Sequence, residues 1–89
     1  MKTQEEIIGR IKRLGENHNG NKTFLSNPSG LTHGQTREIH VEQKTLASEI
    51  STLMWMLNYE VSPDEVLTQC SEMLYEWVKL LKSGIKKLK

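Results

Sequence analysis

An apolar stripe at helical spacing between residues 63 and 84 constrains this chain more than any other feature of its sequence. The segment opens with Ser62-Pro63, a serine N-cap before a proline at the first helical position, and acidic residues occupy the first turn. We therefore predict a helix over 63–84 that buries one face. That face consists of Val66, Leu67, Cys70, Met73, Leu74, Trp77 and either Leu80 or Leu81.

A second amphipathic segment precedes it, from residue 35 to residue 58. Its core-facing residues alternate between spacings of four and three, which is a heptad-like seam with Gln43 in the one polar position. The connection to the following helix is short, and short connections join antiparallel neighbours. We therefore predict an antiparallel hairpin of 35–58 and 63–84. The seam of the first of these helices consists of Ile39, Gln43, Leu46, Ile50, Leu53 and Leu57.

The N-terminal third combines a short apolar pattern with a polar, glycine-rich stretch. Residues 3–6 have the pattern of a capping box, and apolar residues follow at helical spacing as far as Leu14. Gly15 is a typical residue for ending a helix, so we predict a short helix over 4–14. Residues 15–34 are rich in Gly, Asn, Ser and His, which favour turns, and we predict a long loop there.

Together these segments predict one all-α domain over 1–89. Its order is a short N-terminal helix, a long loop, an antiparallel two-helix hairpin and a lysine-rich tail. A chain of 89 residues buries a small core, and a symmetric oligomer would add to its stability. We therefore expect a homo-oligomer.

The charge balance argues against several classes of partner. Lys and Arg number 12 against 11 Asp and Glu, a net charge of +1, so no global field favours nucleic acid or an anionic membrane. The chain shows no apolar run typical of a signal peptide or a membrane span, and its single cysteine excludes an internal disulfide. We expect a cytoplasmic protein and interpret the C-terminal lysines as a solvated tail.

Residues that carry enzyme and metal chemistry are few and scattered. His18, His33, His40 and Cys70 lack the paired short spacings of a zinc site. Cys70 lies on the apolar stripe of the last predicted helix, where a buried thiol is expected and a reactive one is not. The acidic pairs lie in first turns of helices, where capping and the helix dipole explain them. We predict no catalytic residue, no metal and no cofactor.

One polar stretch has the chemistry of a phosphate site. Residues 17–37 combine glycine-rich turns with hydroxyl and basic side chains and lead into the start of a helix. Backbone N–H groups in such an environment bind anions. The alternative is an ordinary polar loop before an N-capped helix, and the residue pattern leaves both open. The side chains concerned are Lys22, Thr23, Ser26, Thr32, Thr36 and Arg37.

Residues 53–57 are apolar on every side of their helix. Trp55 points away from the seam, where a monomer normally places a polar residue. Either the first helix or the loop around Phe24 covers this tryptophan, or it belongs to an interface, where Trp is a favoured anchor. For an oligomer or partner interface the predicted residues are Trp55, Met56 and Ile8.

The order of residues from Phe24 to Ile50 resembles the first helix of a helical-hairpin family found in phages. The resemblance rests on Phe24, Pro28, Gly34-Gln35-Thr36-Arg37, Ile39-His40 and Lys44-Thr45-Leu46-Ala47-Ser48-Glu49-Ile50. In the second helix, Glu72 and Trp77 extend it to residue 77. Val78-Lys79-Leu80-Leu81 replaces the family's Ala-rich close, His40 stands where the family usually has Arg, and the connection between the helices is longer.

The family includes the anti-CBASS sponge proteins, which sequester cyclic oligonucleotide signals of bacterial immunity without cleaving them. The resemblance implies a non-enzymatic counter-defence protein in the cytoplasm of the infected bacterial host. It further implies a homo-oligomer that binds cyclic di- or trinucleotides in pockets between protomers. The candidate ligand-binding residues are Lys22, Thr23, Thr32 and Arg37.

Two other functions remain open. The first is a protein–protein inhibitor or assembly factor that acts on a host protein through the Trp55 face. The second is a small nucleic-acid-binding protein that uses the lysine tail, although cations near a helix C-terminus are favourable in any protein.

Overall fold

The computed structural model describes residues 3–27 and 29–83. Within them it contains three α-helices and no strand: α1 is Gln4–Ser26, α2 is His33–Met56 and α3 is Pro63–Lys82. The all-α prediction is confirmed. The predicted succession of a short helix, a long loop and a two-helix hairpin is wrong, because α1 is as long as its neighbours.

The first helix continues through the segment that was predicted to be a loop. It starts at its N-cap Thr3, whose hydroxyl accepts a hydrogen bond from the Glu6 N–H at 3.1 Å. The buried stripe does not stop at Leu14 but extends at helical spacing to His18. The predicted helix over 4–14 and loop over 15–34 are therefore corrected to a helix over 4–26 and a connection over 27–32.

Gly15 explains how α1 passes the point where it was predicted to end. This glycine is buried in α1, and a Cβ atom added to it would lie within 3.0 Å of three side-chain carbons of Leu74 in α3. The residue is therefore a point of close contact between two helices. Burial of the helix face outweighs the intrinsic cost of glycine inside a helix, which is about 1 kcal/mol.

The second helix starts and ends two residues before its predicted bounds of 35–58. Thr32 is the N-cap, and it forms a reciprocal capping box with Gln35: the Gln35 N–H donates to the Thr32 hydroxyl at 3.1 Å, and the Thr32 N–H donates to Oε1 of Gln35 at 3.0 Å. The buried face consists of Gln43, Leu46, Ala47, Ile50 and Met54.

The third helix begins at Pro63 as predicted, with Ser62 as N-cap and Glu65 completing a capping box. The predicted end at residue 84 lies outside the described residues, and so do the tail lysines at 86, 87 and 89.

Between α2 and α3 the chain turns back along α2. Asn58 has a φ of 65°, a left-handed conformation that asparagine tolerates better than most residues. The N–H of Tyr59 then bonds to the Met54 carbonyl at 2.9 Å, and the Ser51 hydroxyl donates to the Val61 carbonyl. As the chain advances, its partners in α2 therefore come earlier in the sequence. Tyr59 and Val61 are buried, which anchors this return segment in the core.

The side-chain contacts of α1 show that α2 runs in the opposite direction to it. Arg10 contacts Glu49 at 3.3 Å, whereas the carbonyl of His18, further along α1, accepts a bond from the earlier residue Gln43 at 3.0 Å. The two helices are thus antiparallel.

The third helix also runs opposite to α1. Near the start of α1, Gln4 donates to the carbonyl of Leu81 at 3.2 Å, and near its end Lys22 donates to the carbonyl of Thr68 at 3.4 Å. Because α2 and α3 both oppose α1, they do not form the predicted antiparallel hairpin. The prediction failed because the return segment carries the chain back along α2 before α3 begins.

All three helices contribute to a single core. No helix in the described residues has the length and apolar character needed to cross a bilayer. The fully buried apolar residues with no measurable exposure are Ile11, Ala47, Ile50, Met54, Val66, Cys70 and Leu74.

Candidate functional site

The described part of the chain leaves a few large apolar side chains in solvent, and most of them lie on α2. Trp55 is 64% exposed, and Val41 and Met56 of the same helix are also more than half exposed. Phe24 is itself exposed and does not cover the tryptophan. Of the two alternatives for Trp55, coverage by the chain's own helices is therefore wrong.

A row of uncharged residues runs along the outward side of α2, and we call it the outer stripe. Its members follow spacings of four and three residues, so they occupy one side of the helix. Every one of them is exposed, and the buried residues of α2 lie on the opposite side. The outer stripe consists of Val41, Thr45, Ser48, Thr52 and Trp55.

Charges of opposite sign border the two edges of the outer stripe. Arg37 and Lys44 are exposed along one edge, and Glu42 and Glu49 lie along the other. The members of each pair are seven residues apart, so each pair occupies equivalent positions in successive double turns. Glu49 also contacts Arg10 of α1 at 3.3 Å.

Two open grooves adjoin the acidic edge, where α1 packs beside α2. One has a volume of about 380 Å³ and is lined in part by Ile7, Arg13 and Leu53. The other, of about 270 Å³, is lined by Ser48, Thr52 and three neighbouring residues. The outer stripe is thus continuous with shallow concave surface, which favours contact with a large partner over enclosure of a small one.

The third residue of the predicted interface lies elsewhere. Ile8 is only 3% exposed and packs in the core between α1 and the other helices. It borders a groove of about 810 Å³ that α1 and α3 line together, with Lys12, Val78 and Lys82 among the lining residues. Ile8 therefore belongs to a different side of the molecule from Trp55 and Met56.

The four residues of the predicted anion site fall on the two helices that meet at the 27–32 connection. Lys22 and Thr23 lie in the last two turns of α1, while Thr32 is the N-cap of α2 and Arg37 lies in its second turn. Most of the predicted loop over 15–34 is helical, and only the 27–32 connection remains between α1 and α2. The Lys22 ammonium is bonded to the Thr68 carbonyl, and the Thr23 hydroxyl is bonded to its own helix.

A polar cluster lies inside the bundle, close to Gly15. His18 is fully buried, and neither of its ring nitrogens has a hydrogen-bond partner among the described residues. Burial, and secondarily the positive charge of Lys22, lower the pKa of His18 below its ordinary value of 6.5. Nearby, Nε2 of Gln43 donates to the His18 carbonyl and ties α1 to α2.

Cys70 is the other reactive residue type in the core. Its thiol is fully buried and donates to the Gly15 carbonyl at 3.8 Å. Burial raises the pKa of Cys70 to about 11, with an opposing smaller effect of Lys22. At neutral pH the sulfur is therefore a protonated thiol, which is a poor nucleophile. Among residues 3–27 and 29–83, no three His, Cys, Asp or Glu side chains are grouped to hold a metal ion.

No protein-family model, curated protein or solved structure matches this chain.

Sequence reasoning identified one end of the outer stripe and missed the rest. Trp55 stood out because it is large and lies off the seam, whereas Thr45, Ser48 and Thr52 resemble ordinary surface residues. The available signal was the absence of charge: five positions at heptad-like spacing, from Val41 to Trp55, carry none in a chain that is 26% charged.

Proposed function

We propose that this chain acts by stoichiometric binding of a protein partner through the outer stripe of α2. The observation that carries this proposal is the 64% exposure of Trp55 at one end of an uncharged helix face. Large exposed aromatic residues next to other apolar side chains are characteristic of interfaces, and Trp is prominent among residues that dominate binding energy. The bordering charges would set orientation and specificity more than affinity.

Binding without turnover agrees with the chemistry of the core. The cysteine is held as a protonated thiol, and the buried histidine has no carboxylate or hydroxyl partner among the described residues. The proposed activity therefore uses the surface of the bundle, while the polar residues inside it maintain the packing of the helices.

Site-specific photo-crosslinking tests this proposal. The photoreactive amino acid p-benzoylphenylalanine would replace Trp55 in one variant and Tyr75 in a second, which is an exposed aromatic on α3 and serves as the matched control. Irradiation of cells that express the full chain should give one discrete adduct from position 55 and none from position 75. With the photoreactive residue at Thr52 instead, the chain that keeps Trp55 should also form an adduct, and Trp55→Ala should remove it.

Mass spectrometry would then identify the captured protein. Absence of an adduct at position 55, or equal adducts at positions 55 and 75, would contradict the proposal.

A second candidate is the sequestration of cyclic di- or trinucleotides by a phage counter-defence protein. The observation that favours it is the placement of Lys22, Thr23, Thr32 and Arg37 on the two sides of one connection. The positive end of the α2 dipole at Thr32 attracts phosphate, but the nearby C-terminus of α1 repels it. With Lys22 and Thr23 also bonded within the protein, Arg37 is the strongest remaining candidate for a phosphate contact.

Thermal denaturation with a panel of cyclic di- and trinucleotides tests this second function. A ligand at 100 times its Kd should stabilise the protein by about 2.7 kcal/mol. Arg37→Ala should remove that shift, and the control Lys12→Ala, on the exposed side of α1, should keep it. A panel that produces no shift would sink the sponge function and leave the outer-stripe proposal untouched.

A further inference from the structure

We propose that the partner on the outer stripe is a second copy of this chain, joined as a parallel, two-fold symmetric dimer through α2. The inference rests on the proposed function and names the partner. The heptad register of the exposed residues and the sign of the charges beside them support this dimer.

The outer stripe has the register of a short coiled-coil seam. With Thr45 and Thr52 at heptad position a, the residues Val41, Ser48 and Trp55 occupy position d. The opposite position f then falls on Gln43, Ile50 and Leu57, and all of these are buried or partly buried in the chain's own bundle. One helix thus has two faces at the same spacing, and within residues 3–27 and 29–83 only the inner one is covered.

The edges of the stripe fall on the positions that select partners in coiled coils. Arg37 and Lys44 occupy position g, and Glu42 and Glu49 occupy position e. In a parallel dimer each g residue faces the e residue five positions further along the other helix. Arg37 would therefore face the partner's Glu42, and Lys44 would face the partner's Glu49.

The same charges select against the antiparallel alternative. In that arrangement g residues face g residues and e residues face e residues, so basic side chains would meet basic ones and acidic side chains acidic ones. In the parallel arrangement, with the two-fold axis along the helices, each basic residue faces an acidic one instead. Symmetry makes each of these pairs twice. The charge pattern is thus complementary to itself in one orientation only.

The seam itself accounts for where the contact is strongest. Thr45, Ser48 and Thr52 are small enough for the two helices to approach closely, and Trp55 meets the partner's Trp55 at the C-terminal end. Met56 flanks that aromatic pair. Glu38, at the next position a towards the N-terminus, limits the seam, because two carboxylates would face each other across the axis.

Charge reversal at one pair provides a test with an internal rescue. Arg37→Glu alone places a carboxylate against the partner's Glu42, and Glu42→Lys alone places an ammonium group against the partner's Arg37. Each single variant should raise the dissociation constant of the dimer about tenfold or more, as measured by sedimentation equilibrium. In an equimolar mixture both contacts are again of opposite sign, so the mixture should form the heterodimer with the affinity of the native chain.

Matched controls change the same charges on other helices. Lys12→Glu on α1 and Glu72→Lys on α3 alter exposed residues and should leave association unchanged. The pair Arg37–Glu42 is chosen because Glu49 already contacts Arg10. Association should also weaken as salt is raised, and the emission of Trp55 should shift to shorter wavelength as the protein is concentrated, since Trp77 is already buried.

Three results would overturn the dimer: a native chain that stays monomeric at every concentration, single variants that associate like the native chain, or a mixture that stays monomeric. The photo-crosslink at position 55 separates this failure from failure of the proposed function. An adduct of twice the chain mass supports the dimer. An adduct with a different protein from a monomeric chain overturns the dimer and retains binding through the outer stripe.

Discussion

At the scale of single residues, the closest approach between helices depends on a missing side chain. The buried Gly15 of α1 lies directly under Leu74 of α3, and the thiol of Cys70 donates to the Gly15 carbonyl. Leu74 has no exposed surface, so it has no free space into which to move. The spacing between α1 and α3 is therefore fixed by the absence of a methyl group.

We expect Gly15→Ala to destabilise the protein by about 1–3 kcal/mol, because the added carbon would overlap Leu74. The matched change Gly20→Ala, also inside α1 but with open space around it, should stabilise the protein by about 0.5–1 kcal/mol. Urea denaturation followed by far-UV circular dichroism measures both. Equal effects of the two substitutions would contradict the close packing of α1 against α3.

His18 makes the stability of the bundle depend on pH. Its folded-state pKa lies below 6.5 because the imidazole is buried and Lys22 is near. Below pH 6.5 the unfolded chain binds a proton at this residue before the folded chain does. The free energy of unfolding should therefore be highest above pH 6.5 and fall as the pH is lowered towards the folded-state pKa.

Urea titrations at about pH 7.5 and about pH 5 would measure this loss. His18→Leu, which removes the titrating group and keeps an apolar side chain of similar size, should reduce the difference between the two conditions. His40→Gln, at an exposed position on α2, should keep the native difference. A native difference retained in His18→Leu would assign the pH dependence to other groups.

At the scale of helices, the features set by local sequence patterns were predictable, and those set by tertiary packing were not. The N-caps were recognisable from local patterns: Thr3 from the Glu three residues after it, and Ser62 from the proline and the acidic residues that follow it. The apolar stripes of α2 and α3 were recognisable because the helical spacing of apolar residues is also a local pattern. The start of α3 at Pro63 was accordingly predicted correctly.

The second half of α1 was not predictable from local preference. Its glycines and asparagines favour turns in isolation, and they are helical because Gly15 and His18 extend a buried stripe against two other helices. The path of the return segment was not predictable either, because it also depends on tertiary packing. The turn at Asn58 is local, but the direction that follows depends on burying Tyr59 and Val61 against α2.

The candidate site shows the same division. Trp55 was predicted as an interface residue from its position off the seam, and its exposure agrees with that position. The phosphate site stays a prediction: most of the loop on which it was based is helical, and Arg37 in the second turn of α2 is its strongest remaining residue. The outer stripe became visible only when the helix bounds and the buried face of α2 were known.

At the scale of the whole molecule, α1 is an equal part of the core and not an addition to a hairpin. Ile11 has no exposed surface, and Gln4, His18 and Lys22 bond to the other two helices. Each pair of helices therefore buries part of its apolar surface against the third. Removing apolar contact from α1 should weaken the entire bundle.

Ile11→Ala should lower the free energy of unfolding by about 2–5 kcal/mol through lost burial and a cavity. Two probes should report the same shifted midpoint: far-UV circular dichroism for all helices, and fluorescence of the buried Trp77 for α3. A Trp77 transition that stays at the native midpoint, while part of the helical signal is lost, would show that α2 and α3 are stable without α1.

The hydrogen bond from Gln4 to the Leu81 carbonyl also bears on how the chain is threaded. It holds the first turn of α1 beside the last turn of α3, so the start of the first helix and the end of the third are close in space. The same packing of helices could then be formed with the helices in a different order along the chain. A short linker from residue 83 to residue 3, with new ends cut into the 27–32 connection, would give the order α2, α3, α1 around the same core. The closeness of these two helix ends is therefore what would allow a circularly permuted chain to adopt the same fold.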